Sequence, residues 1–161
     1  MIREFCSWLS ETPLSQALQN ASWSIPTAQT VHILSVAVVM TSMAMLDLRL
    51  LRRGAAGPSV SMTAQRLVPP TWYALAVLAV SGVVLICAEP ERELLSPAFT
   101  IKMALLLLAA TLTYVIARGV KARETYWDER PIAATSVAVV SLLLWVGIVS
   151  AGRWIAYVPQ Y

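Results

Sequence analysis

The chain has 161 residues, of which 58% are apolar and 13% charged, with a formal charge of +3 and a mean hydropathy of +0.66. Soluble domains carry about 25% charged and 45–50% apolar residues, so the composition excludes an ordinary soluble domain and points to the membrane class. The positive charge does not indicate nucleic-acid binding, because the lysines and arginines sit in short tracts beside apolar runs, where they act as topology signals.

Residues 1–25 alternate apolar and polar patches and lack the basic and apolar regions of a signal peptide, so they are expected to belong to the fold. Ile2, Phe5 and Leu9 share one helical face, with Arg3, Glu4, Ser7 and Ser10 around it, and Trp8 and Trp23 favour the boundary between lipid and water. Thr12-Pro13 interrupts the segment, and Pro13 suits the first turn of a second helix. Two short amphipathic helices lying on the membrane are expected.

About 20 apolar residues cross the hydrocarbon core, and four stretches meet that length, at about 26–51, 70–89, 98–118 and 131–157. The first begins at Pro26 and ends among Asp47, Arg49, Arg52 and Arg53, with a polar loop running to Arg66. Pro69-Pro70 is expected to open the second, with Trp72 and Tyr73 as interfacial anchors, and Glu89-Pro90 to close it. The third carries Lys102, Met103 and the leucine run 105–108, and stops near Arg118-Gly119. Trp127 in the next loop reads as an anchor, and the fourth span runs from Pro131 past Trp145 to Gly152-Arg153-Trp154.

Arg49, Arg52, Arg53, Arg66, Arg118, Lys121, Arg123 and Arg130 flank one side, against Arg3, Arg92, Lys102 and Arg153 on the other. The heavier side is cytoplasmic by the positive-inside rule, which puts both termini in the periplasm of a bacterial inner membrane. The expected fold is all-α: a transmembrane four-helix bundle over residues 26–161 behind an interfacial segment over residues 1–25. Small residues allow helices to approach in lipid, and Ala109 with Thr113 and Ala117, Ser35 with Ser42, Ala79 with Gly82 and Gly147 with Ala151 are candidate contacts. The expected partners are the lipid bilayer and either a second copy of the chain or a larger membrane complex.

His32 is the only histidine, and an ionisable group inside a membrane helix is a functional-site hypothesis by default. Gln29, His32, Val36, Val39, Met43 and Asp47 share one face of the first span. His32 lies six residues past Pro26, or ~9 Å at 1.5 Å per residue. Met103, Cys87, Arg153 and Trp154 fall at the same depth, whereas Asp47 lies near the other end and is expected to pair with a loop arginine. These residues suit haem b, with His32 as axial ligand, Met103 or His32 of a second copy as sixth ligand, and Arg153 on a propionate, flanked by Gln29 and Trp154. Electron transfer to a quinone or a periplasmic redox protein would follow. The alternatives are no cofactor, with a neutral His32 that locks helix packing in a non-catalytic subunit, copper held by His32 and Met40, Met43 and Met45, or proton handling. Cys6 and Cys87 are too few for a disulfide framework or a zinc site, and no phosphate loop or GxSxG is present.

Thr30-Val31-His32-Ile33-Leu34, Asp47-Leu48-Arg49-Leu50-Leu51, Lys102-Met103, Trp127-Asp128 and 151–157, AGRWIAY, together resemble a family of small, uncharacterised bacterial inner-membrane proteins. That resemblance implies topology and no activity. The first-span histidine is also loosely similar to the haem-bearing helices of b-type membrane cytochromes, although the second histidine usual there is absent.

Overall fold

The computed structural model describes residues 1–52 and 56–155, and these are helical throughout apart from turns. The elements are α1 (Ile2–Ser10), α2 (Pro13–Asn20), α3 (Ser24–Leu51), α4 (Val60–Ala88), α5 (Pro90–Leu94), α6 (Pro97–Ala122) and α7 (Pro131–Ile155). Helices α3, α4, α6 and α7 are each long and apolar enough to cross a membrane, which makes this a multi-pass membrane protein.

The two short helices form where the sequence places them. Thr12 caps α2 by accepting from the Ser15 N–H at 3.3 Å, with Pro13 in the first turn. On α1, Ile2, Phe5 and Trp8 are exposed while Cys6 is buried, its thiol 3.7 Å from the carbonyl of Pro90. Gln19 on α2 donates to the Ala88 carbonyl at 3.0 Å. That bond satisfies a carbonyl which the end of α4 leaves open. The short helices therefore hold the α4–α5 corner.

The second span differs most from expectation. Pro69-Pro70 does not open it; the helix begins at Val60 and runs through both prolines. Ser59 caps this earlier start by accepting from the Met62 N–H at 3.1 Å, and Val60, Ser61 and Ala64 are buried. Each proline lacks the N–H that would bond four residues back, and packing of the added turns compensates. The third span likewise runs on to Ala122, a turn beyond Gly119. Between α4 and α6 lies the short helix α5, whose Arg92 pairs with the N-cap residue Glu89 at 2.9 Å. The expected end of the fourth span at residue 157 lies outside the described residues, as does Arg53.

Helix α3 packs most extensively on α4, α6 packs on α7, and the α3–α7 and α4–α6 contacts close the bundle. Its core mixes Met43, Leu46, Leu50 and Ile116 with the small residues Ala109, Ala134 and Ala138. Of the candidate small contacts, Ala109, Thr113, Ser35 and Ser42 are buried, whereas Ala79 is exposed.

Trp127 is no interfacial anchor. It is 3% exposed and donates its indole N–H to the Ile116 carbonyl at 3.2 Å. A Cβ on Gly119 would stand 2.8 Å from the Trp127 indole and 2.9 Å from the Tyr126 ring, so only glycine permits this fold-back at the end of α6. Arg130 stacks 4.1 Å from the Tyr126 ring centroid. The Thr125 hydroxyl, together with the nearby Arg123 and Arg130 charges, holds the exposed Glu129 carboxyl below its ordinary range.

Gly119→Ala is therefore expected to overpack this corner by about 1–3 kcal/mol, read as a lower unfolding midpoint in detergent. Gly147→Ala should cost less, because the atom it would approach, at 3.2 Å, is the flexible end of Leu105. Equal midpoints for the two variants would contradict the fold-back.

Candidate functional site

His32 is half-buried on α3 and faces α4, with Nδ1 2.9 Å from the Ser81 hydroxyl oxygen. Ser81 has a single hydroxyl proton, and it is directed at the backbone, 2.8 Å from the Val77 carbonyl and 3.2 Å from that of Leu78. With its proton on the backbone, Ser81 accepts from His32, and on that ground we assign the ring proton to Nδ1, with a lone pair on Nε2. The ring lies against the open side of Gly82, where a Cβ would be 3.7 Å from His32 Cε1.

A third helix contributes charge. The half-buried Lys102 on α6 is within electrostatic reach of the imidazole. Its side chain passes Gly152 on α7, with Cδ 3.9 Å from where a Cβ would stand, and its ammonium is 6.0 Å from the Phe99 ring centroid. All four spanning helices thus meet at this end of the bundle: α3 with His32, α4 with Ser81 and Gly82, α6 with Lys102, and α7 with Gly152.

The other residues singled out from the sequence do not converge on the ring. Met103 is 38% exposed and, one residue past Lys102, turns outward from α6. Gln29 and Arg153 are exposed, and Trp154 is 68% exposed. The methionines proposed for copper diverge: Met43 is fully buried with its sulfur 3.8 Å from the Thr113 hydroxyl, and Met45 is more than half exposed. Among the described residues, no cluster of three or more His, Cys, Asp or Glu side chains could hold a metal ion.

Two members of the site escaped the sequence reading. Lys102 was read as a topology charge and as part of a family motif but not as a site residue, although a lysine within a spanning helix is itself a signal. Ser81 gave none, because a lone serine in a membrane helix usually bonds its own backbone, as Ser35 does to Val31 at 2.8 Å. Asp47 also differs from expectation. It is 0% exposed, and among the described residues no arginine or lysine pairs with its carboxyl group.

The chain belongs to a family of unknown function, DUF6644, whose profile matches residues 21–158. Comparison with curated proteins found no match, and comparison with solved structures found none either.

With one histidine in the chain, nitrogen NMR reads this imidazole alone. The Nδ1–H tautomer is expected in the wild type, and Ser81→Ala should shift the ring toward a mixture of tautomers. An Nε2–H tautomer in the wild type would refute the assigned bond.

Proposed function

We propose that this chain binds haem b through Nε2 of His32 and transfers electrons at the end of the bundle that carries it, near the periplasmic face of a bacterial inner membrane. The observation behind this reading is the Ser81 bond to Nδ1, which leaves one lone pair on a fixed ring. Axial histidines are oriented by such a bond on their other nitrogen. Lys102 decides between kinds of metal. An ammonium beside the imidazole repels a bare copper or zinc ion, whereas a propionate carboxylate would welcome it.

Residue roles follow from these positions. His32 would supply the axial nitrogen, Ser81 would orient it, and Lys102 would neutralise a propionate, with Arg153, next to Gly152, expected on a second. When bound, haem would supply a one-electron couple tuned by its axial ligand and surroundings. Met103 faces outward from its own bundle, so a second axial ligand would come from another copy of the chain. A quinone or a periplasmic redox protein would be the electron partner.

A second reading draws on the same bond: His32 and Ser81 clasp α3 to α4 in a non-catalytic subunit of a larger complex. Visible spectra of protein extracted in mild detergent separate the two. The haem reading expects a Soret band that is lost in His32→Ala and weakened in Lys102→Gln. The clasp reading expects no band, and a loss of about 0.5–1.5 kcal/mol of stability in His32→Ala. A featureless visible spectrum from native membranes would remove the haem proposal.

A further inference from the structure

Helix α3 carries a second ionisable group that the His32 site does not use. Asp47 is 0% exposed, and neither of its carboxyl oxygens has a hydrogen-bond partner. Ser141 on α7 stands close enough to act on the carboxyl but outside hydrogen-bond geometry, and its buried hydroxyl is likewise without a partner. One turn further along the same face of α7, Trp145 is buried with its indole N–H unpartnered. Buried polar groups are satisfied in more than ~90% of cases, so three open groups on facing helices call for an explanation.

Among the described residues, charge pairing does not provide one. Arg66 on α4, Arg118 on α6 and Arg52, just past the end of α3, are exposed. Arg49 turns its guanidinium toward Gly57, where a Cβ would be 3.6 Å away, and Arg153 and Lys102 belong to the opposite end of the bundle. An ionised carboxylate would therefore be buried with no cation from α4, α6 or α7 facing it, which is the costliest arrangement a core can hold. A metal cation would suit the carboxylate, yet the indole N–H would present it with positive charge.

We propose that Asp47, Ser141 and Trp145 form a buried proton-binding site, in which the Asp47 carboxyl is held neutral. The proton resides on one carboxyl oxygen, with the Ser141 hydroxyl close by and free to accept it after a small side-chain shift. The second oxygen and the indole N–H remain to hold a water that delivers or removes the proton. No electron or leaving group is involved: an O–H bond forms on loading and breaks on release.

The chain has two aspartates, Asp47 and the exposed Asp128, which permits a test that leaves the site intact. Protein carrying Asp128→Asn, grown with carbon-labelled aspartate, reports Asp47 alone by infrared spectroscopy. At neutral pH a labelled protonated-carboxyl band is expected. It should shift in heavy water and give way to a carboxylate band as the pH is raised. Ser141→Ala and Trp145→Phe should each displace its frequency. A labelled carboxylate band with no protonated band at neutral pH would overturn the proposal. So would a protonated band that neither variant moves, which would mark a buried acid with no such site around it.

Discussion

Hydrocarbon offers no hydrogen bonds, so every polar group on a spanning helix must find its partner inside the bundle. Most hydroxyls here solve this locally. Ser35, Thr71, Thr111, Thr113 and Ser150 each donate to the carbonyl four residues back. Ser81 does the same, and that local bond gives it a wider role: with its proton committed to the backbone, its oxygen can only accept. The tautomer of His32, and with it the nitrogen available for chemistry, follows from a helix satisfying its own backbone.

The same constraint accounts for the ends of the bundle. A helix terminus leaves carbonyls and N–H groups open, and here other segments close them. Gln19 reaches the Ala88 carbonyl, and Thr12 and Ser59 cap α2 and α4. The N-terminal helices are thus joined to the bundle through α4 and α5 as well as being built for an interface.

Hydropathy made the four spans and the two short helices legible, because length and amphipathic period are local properties. The boundaries that went astray were set by contacts between segments. Pro69-Pro70 reads as a start, since proline suits a first turn, yet Ser59 and the burial of Val60 and Ala64 place the start ten residues earlier. Trp127 reads as an anchor because its place over Gly119 depends on how the chain folds back. At the site, His32 was legible from its rarity. Lys102 was present in the charge count, but its proximity to His32 depends on the rotation of α6, which also turns Met103 outward. Ser81 was invisible for the same reason.

The two polar positions of α3 are physically separate. His32 and Asp47 are fifteen positions apart, which is ~22 Å of helix at 1.5 Å per residue. Between them the inward face carries Val39 and Met43, both buried, and the Ser35 hydroxyl is spent on its own helix. This stretch provides no hydrogen-bonded chain, so a proton held at Asp47 has no direct route to the imidazole. Any influence of one on the other would have to act through the field across the bundle or through a shift of α3 as a body. Charge at Lys102 acts on His32 at close range, whereas the Asp47 carboxyl, if neutral, contributes almost no field there. Ligation at one end and proton binding at the other, both proposed here, would therefore be independent of each other, and loss of either is expected to leave the other intact.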